Sequence, residues 1–310
     1  MKISYSNLFN ILEQRKISKT ELRKTLQIST ATLAKLSKNQ PVSMKIIEEI
    51  CDYLHCQPGD IMVMEQETDK NTLLYTLQEE KRIKLKGGIY HQTQVLLAYN
   101  SNHIEGSRLT EDQTRYIYET NTIGIEDEPA RIDDIMETVN HFQCFDFMLD
   151  CATDTLTEDI IKQFHAMLKA NTSDSHLDWF NIGEYKQRPN MVGDSQTTPP
   201  NQVKKEMQKL LFDYNQKESV SFEDIVEFHY HFEKIHPFQD GNGRVGRLII
   251  FKECLKNNIV PLIIDETHKL YYYRGLKEFD VERGYLIDTC LSAQDKYKEM
   301  LEYFMPDMKK

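Results

Sequence analysis

Twelve consecutive residues, His236 to Arg247, read His-Pro-Phe-Gln-Asp-Gly-Asn-Gly-Arg-Val-Gly-Arg, and their types suit a phosphate. Val245, Leu248, Ile249 and Phe251 follow at helical spacing, so the Asp-Gly-Asn-Gly turn leads into a helix N-terminus. Successive backbone N–H groups of Gly241, Asn242 and Gly243, together with the helix dipole, would form an anion-binding concavity there. Arg244 and Arg247, three apart, share a face and could reach the same anion. Asp240 is a hard oxygen ligand suited to Mg²⁺, which takes one or two carboxylates plus substrate phosphates. His236, with an unperturbed pKa of about 6.5, could take a proton from an attacking hydroxyl near neutral pH. Phe238 reads as a packing anchor for the turn. No Lys-Ser/Thr follows the glycines, which excludes a Walker phosphate loop.

Several helices must position this loop. Ser221 is a good N-cap for a helix whose apolar period is Phe222, Ile225, Val226, Phe232 and Ile235. Pro237 disfavours α conformation at His236 and ends that helix, placing the imidazole at its mouth. His229, Glu233 and His236 fall at i, i+4 and i+7, a metal-like spacing. His229 lies on the apolar face, however, and reads as a packed core residue. Upstream, a helix from about Ile89 to Glu105 presents Val95, Leu96 and Tyr99. Gly106 is a natural C-terminal stop, and Thr110-x-x-Gln113 has the spacing that starts the next helix. Ser101 and Glu105 sit one turn apart, facing the same way. Amphipathic helices follow over 131–149 and 157–168, the latter capped by Thr157. Gly183–Gln187 and Asn190–Gly193 read as two short strands around an Arg-Pro turn, ahead of Thr198-Pro-Pro.

At 310 residues, 40% hydrophobic and 28% charged, the chain is of ordinary globular composition and long enough for two domains. Its start lacks the apolar core of a signal peptide and no apolar run approaches membrane-spanning length, so a cytoplasmic protein is expected. Six cysteines, at 51, 56, 144, 151, 254 and 290, form no Cys-x-x-Cys pair and suggest neither zinc nor a disulfide framework. The net charge of −11 is uneven. Residues 1–45 carry nine Lys/Arg against two Asp/Glu, a surplus of +7 that leaves −18 on the remainder. A basic front end on an acidic body suggests separate partners.

The front end reads as short helices. Leu8, Ile11 and Leu12 mark one, Ser18-Lys-Thr-Glu21 opens a second with Leu22 and Leu26 inward, and Gln27–Ser29 makes a turn. A third runs from Thr30 to Lys38 with Leu33 and Leu36 inside, and a fourth from Met44 to Leu54, before Pro58-Gly-Asp closes the unit. Two helices around a three-residue turn form helix-turn-helix geometry. With its closing Cys-x-Pro-Gly-Asp-Ile, the segment resembles the Cro/C1-type helix-turn-helix family. The resemblance makes Thr30, Thr32, Lys35 and Lys38 candidate DNA-facing residues, with Lys19 and Lys24 as phosphate contacts.

The motif His-Pro-Phe-x-Asp-Gly-Asn-Gly-Arg-x-x-Arg, met at every fixed position, resembles the signature of Fic-domain proteins. Most proteins with this signature transfer AMP from ATP to a protein hydroxyl. The resemblance implies that His236 is the general base and Asp240 the Mg²⁺ ligand, with Gly241–Gly243 cradling phosphates that Arg244 and Arg247 neutralise. Ser101-x-x-x-Glu105-Gly106 is similar to the family's inhibitory helix, whose glutamate would form a bidentate pair with Arg247 and exclude the γ-phosphate. A hairpin flap over the loop would pair with a target peptide, and Tyr272, Tyr273 and Leu276 fall where relatives place adenine-side contacts.

The expected fold is mainly α: a helical Fic bundle with a β-hairpin flap behind a small helix-turn-helix domain. Expected boundaries are 1–66 for the first domain, 67–88 for a linker helix and 89–310 for the catalytic region. The inhibitory helix falls at about 89–106, the flap at about 182–200 and the signature loop at 236–247. ATP, Mg²⁺, a target protein that includes the chain itself, and DNA through residues 1–66 are the expected partners, with no membrane; a homodimer is one possible assembly. Transfer of another nucleotide, removal of AMP from a modified protein, or a DNA-binding regulator with a nucleotide-sensing Fic domain are the rival readings.

Overall fold

Helix starts fall where the sequence offers a short oxygen. The hydroxyls of Ser18, Ser29, Thr72, Thr110, Thr157 and Ser221 and the carboxylate of Asp265 accept from backbone N–H groups two or three residues on. Each such cap stabilises its helix by about 1 kcal/mol. The computed structural model describes residues 2–65, 72–124, 129–193 and 195–306, and its chain forms two units, Met1–Lys70 and Asn71–Lys310.

The first unit runs β1 (Lys2–Ser4), α1 (Ser6–Gln14), α2 (Lys19–Thr25), α3 (Thr30–Ser37), α4 (Met44–Leu54), α5 (Pro58–Ile61) and β2 (Val63–Glu65). Tyr5, Leu8, Leu22, Leu36, Ile47, Ile50, Leu54 and Ile61 form its core. Leu33, expected inside, is only half-buried. The two strands pair antiparallel with Ile3 opposite Met64 and tie the ends of the unit together. They are three residues each, too short for an alternating pattern to announce them.

The second unit contains α6 (Leu73–Ile83), α7 (Ile89–Ile104), α8 (Glu111–Thr120), α9 (Ile132–Asp150), α10 (Glu158–Leu168), β3 (Met191–Val192), β4 (Ser195–Gln196), α11 (Pro200–Asn215), α12 (Phe222–Ile235), α13 (Asn242–Lys256), α14 (Glu266–Glu278) and α15 (Gly284–Phe304). The boundary expected at residue 66 lies outside the described residues. The remainder of the expected linker is no spacer, because α6 buries Leu73 and Leu77 in the core that α7 and α9 share.

At the centre is α13, where Val245, Leu248, Ile249, Phe251 and Leu255 are all buried. A helix enclosed on every side belongs in the middle of a bundle. Around it pack Phe145 and Met148 of α9, Phe164 of α10, and Phe228 and Phe232 of α12. The helix carrying the signature arginines is therefore fixed on all sides.

The hairpin lies within the expected 182–200, but with a different pair of strands. Strands occupy 191–192 and 195–196, whereas 183–187 forms none. Gly183 adopts a left-handed turn (φ +73°) against Ala166, and the Lys186 N–H donates to the Pro237 carbonyl at 2.8 Å. The backbone that would have paired in a strand is spent on the signature loop instead. Among the described residues no helix is long and apolar enough to cross a membrane. The six cysteines are all unpaired thiols.

Candidate active site

The signature begins at the end of α12, where His236 takes a left-handed conformation (φ +51°) ahead of Pro237. Its Nδ1 is buried, 3.9 Å from Glu233 Oε2. Burial, reinforced by the cation of Lys186, holds the imidazole down to about 4, so the ring is neutral at physiological pH. The following turn is locked from within. Phe238 N–H donates to Asn242 Oδ1 at 2.8 Å, and Asn242 Nδ2 donates back to the Phe238 carbonyl at 3.0 Å. Phe238 is fully buried and stacks on His165 with ring centroids 4.0 Å apart, the anchoring role expected of it. The side chain of Asn242 is thus committed to the loop, and only its backbone remains for an anion.

Gly241 precedes α13 in a left-handed conformation (φ +78°), a geometry glycine adopts without steric cost. Gly243 shows why that position is small: a Cβ there would lie 2.2 Å from Glu105 Oε1 and 3.0 Å from an Arg247 guanidinium nitrogen. The Glu105 carboxylate therefore rests against the N-terminus of α13. Arg247 NH2 donates to Glu105 Oε1 at 2.7 Å and to the Ser101 carbonyl at 2.9 Å, while its Nε donates to Ser101 Oγ at 3.0 Å. The expected bidentate pair is instead a single carboxylate contact, with Ser101 accepting from Nε and NH2 while NH1 has no hydrogen-bond partner among the described residues. Burial opposes the charge of Arg247, but Glu105 outweighs it and raises the guanidinium further.

The two arginines have separate partners. Arg244 pairs with Glu137 and reaches Asp240 Oδ2 at 3.3 Å. Asp240 Oδ2 also accepts from Lys169 Nζ at 2.7 Å. Burial would raise the Asp240 carboxyl, but Arg244 and Lys169 outweigh it and hold the group well below the usual carboxylate range. Its side chain is 51% exposed. An ionised, half-exposed carboxylate beside a helix N-terminus fits a Mg²⁺ ion bound by one carboxylate and substrate phosphates.

Beneath the loop lies one buried group that the sequence does not single out, His141, beside others that it does. His141 is fully buried, with burial and the two arginines pressing it down to about 3. Glu233 is pushed up to about 8 by burial, with Glu105 adding to the rise against Arg247. His229 donates to or accepts from the Tyr272 hydroxyl at 2.6 Å and is a core residue. Tyr272 is correspondingly 1% exposed, packed in a second core cluster against which Leu276 also lies. Tyr272 is therefore a core residue with little surface to offer, whereas Leu276 is half-buried. Tyr273 alone of the three is well exposed, and its hydroxyl donates to the Ile104 carbonyl at 3.4 Å.

The hairpin segment is fastened to the loop. Lys186 Nζ donates to Asn190 Oδ1 at 2.7 Å and to Thr197 Oγ1 at 2.6 Å, and Asn190 Nδ2 donates to the Phe238 carbonyl at 3.1 Å. Met191 and Val192 at the strand remain exposed.

The Fic/DOC family profile matches residues 155–253, and the profile of Cro/C1-type HTH DNA-binding domains matches residues 7–67. The chain carries a Fic domain. Among curated proteins it is similar to protein adenylyltransferase Fic of Nematostella vectensis, 28% identical over 190 residues, 58% of this chain and 42% of that one. The protein of the same name from Drosophila grimshawi is 28% identical over 188 residues, 58% and 36% of the two chains. The matched region thus spans about two fifths of these relatives. Two solved structures share the fold. One is a Fic domain containing signaling protein from Bacteroides thetaiotaomicron (TM-score 0.56, 23% identity, 76% of this chain and 92% of that one). The other is a Fic family protein from Desulfovibrio desulfuricans (TM-score 0.59, 21% identity, 77% and 76%). The second unit has the Fic fold, and a Cro/C1-type helix-turn-helix domain precedes it.

In that first unit Thr30, Lys35 and Lys38 are exposed on or beside α3. Thr32 is half-buried, with its hydroxyl 2.9 Å from Ser29 Oγ in the helix cap.

Proposed function

We propose that the Fic domain transfers AMP from ATP to a serine, threonine or tyrosine hydroxyl of a protein, itself included, and that Glu105 restrains it. The observation that carries this is a neutral His236 at the mouth of the turn that ends in the Gly241–Gly243 helix start. With Nδ1 buried, Nε2 is the nitrogen left to meet a substrate. The target oxygen attacks the α-phosphorus and its proton passes to His236. The bond to the bridging oxygen breaks, and pyrophosphate leaves. Backbone N–H groups at the start of α13 hold the phosphates, and Arg244 and Arg247 offset their charge. Mg²⁺ on Asp240 would supply further charge neutralisation when bound.

Glu105 occupies Arg247 and the face of Gly243, the region a γ-phosphate needs. Displacement of Glu105 is then the condition for productive ATP binding. Incubating wild type, Glu105→Gly and His236→Ala with labelled ATP and lysate tests this reading. Labelling that survives in His236→Ala refutes the base assignment. Parallel incubations with other labelled nucleotides, and with AMP-modified protein, separate the rival transfer and removal reactions.

A second function is favoured for the first unit. Exposed Thr30, Lys35 and Lys38 on and beside the second helix of a helix-turn-helix present hydrogen-bonding and cationic groups to a DNA groove. A gel shift whose affinity does not fall as salt rises argues against it.

A further inference from the structure

Lys169, the residue closing α10, carries an ammonium group surrounded by three carboxylates. Its Nζ is 2.7 Å from Glu137 Oε1, 2.8 Å from Asp174 Oδ2 and 2.7 Å from Asp240 Oδ2. Its side chain is 2% exposed, so this cation is fixed inside the protein. Three elements converge on it: Glu137 from α9, Asp174 from a short 3-10 turn at Ser173–His176, and Asp240 from the signature loop. Arg244 adds a second cation, shared with Glu137 and Asp240.

The contacts with Asp240 are one-sided. Lys169 and Arg244 both meet the same oxygen, Oδ2. Counting Asp240 itself, the cluster holds three negative charges (with Glu137 and Asp174) against two fixed positive ones, a surplus of a single negative charge. A divalent ion arriving alone meets a carboxylate already neutralised at contact distance. An ion arriving with a polyphosphate brings its own anionic ligands and depends on Asp240 for only one of them.

From this geometry, and resting on the reading of Asp240 as the Mg²⁺ ligand, we infer that Lys169 is a built-in counter-cation. It prevents Asp240 from binding a free divalent ion and reserves the site for the metal–nucleotide complex. Lys169 is a positioning residue here, acting through Asp240. It also keeps the acidic cluster satisfied whenever nucleotide is absent, which an empty metal site would not do.

Manganese provides the probe, because its free and bound forms differ in electron paramagnetic resonance. Wild-type protein titrated with Mn²⁺ alone should leave the ion free; once ATP is added, protein-bound Mn²⁺ should appear, measured against an ATP-only control because ATP itself chelates the ion. Lys169→Met should bind Mn²⁺ without nucleotide at least about tenfold more tightly than wild type, since a unit charge a few ångströms away has been removed. Lys169→Arg should keep the wild-type pattern. Should the methionine variant fail to fold against three carboxylates, Lys169→Gln removes the charge while retaining hydrogen-bond donors, and the same gain is expected. A folded Lys169→Met or Lys169→Gln with unchanged nucleotide-free binding overturns the inference, as does tight Mn²⁺ binding by nucleotide-free wild type. Asp240→Asn separates the two levels of the claim. Loss of ATP-dependent Mn²⁺ binding in that variant upholds the ligand assignment whatever Lys169 does, and its retention removes the assignment and the inference together.

Discussion

Arg247 and Glu105 meet at 2.7 Å although 142 positions separate them in sequence. The contact joins the end of α7 to the first turns of α13, and it puts a carboxylate where a phosphate has its best electrostatic prospects. A hydrogen bond to a charged group is worth about 1.5–3 kcal/mol. Removing it in Glu105→Gly should raise self-labelling by roughly 10- to 100-fold, taking about 1.4 kcal/mol per decade. Glu105→Gln, which keeps the shape and loses the charge, should fall between. Equal labelling in all three proteins, measured by autoradiography at one ATP concentration, sinks the restraint assigned to Glu105.

The second prediction concerns acid. Burial first, and Lys186 second, hold His236 down to about 4. A general base must be neutral, so its competence is present above that value and lost as pH falls through it. An unperturbed imidazole would be half protonated near pH 6.5. Labelling by the Glu105→Gly protein should therefore stay level from about pH 8 to about pH 5.5 as far as this group decides it. Lys186→Met removes a depressing cation and should move the acid limb to higher pH. A limb centred near 6.5 in the unmodified background means the imidazole is not buried in the working state.

Gly246 offers a test of packing beneath the loop. A Cβ there would lie 2.6 Å from Glu233 Oε1 and 2.8 Å from His229, both of them enclosed. His229 cannot retreat without giving up Tyr272. Overpacking of this kind costs about 1–3 kcal/mol. Gly246→Ala should lower the melting temperature by roughly 2–4 °C per kcal/mol in a domain of this size. An unchanged melting curve would show that the Glu233–His229 floor yields freely.

For the first unit, Lys35→Ala with Lys38→Ala should flatten the salt dependence of DNA binding. Each phosphate contact contributes about one unit to the slope of log affinity against log salt, so a loss of about two is expected. If both lysines can be removed with the slope intact, α3 is not the face that meets DNA.

The parts of the site that were legible in the sequence are those encoded contiguously. His236 to Arg247 lies on one loop and one helix start, and the Ser221 cap and Pro237 set both ends of the approach. Ser101 and Glu105 were legible through the resemblance of Ser-x-x-x-Glu-Gly to the family's inhibitory helix, which spacing and a helix stop alone do not reveal. Glu137 and Lys169 were not, since each sits on another helix and acquires meaning only when α9 and α10 pack against α13. The first strand was misplaced because residues 183–187 look strand-like while the N–H groups of Gly183, Glu184 and Lys186 bond to His165, Asn181 and Pro237. Tyr272 stands in a tyrosine run where relatives place adenine-side contacts, yet its partner, His229, comes from α12. Tertiary packing decided each of these, and local spacing carries no trace of it.

The helix that bears Glu105 buries Ile89, Val95, Leu97, Ala98, Ser101, Asn102 and Ile104, so most of it is core, whereas the Glu105 side chain at its end remains 30% exposed. Cutting away residues 89–106 would thus remove core packing along with Glu105, so the proposed restraint is tested by substitution and not by truncation. On the proposed reading, release is a movement of the Glu105 side chain that leaves its helix in place. Such a latch resets without refolding: when its competitor leaves, the same carboxylate is already at hand to close it.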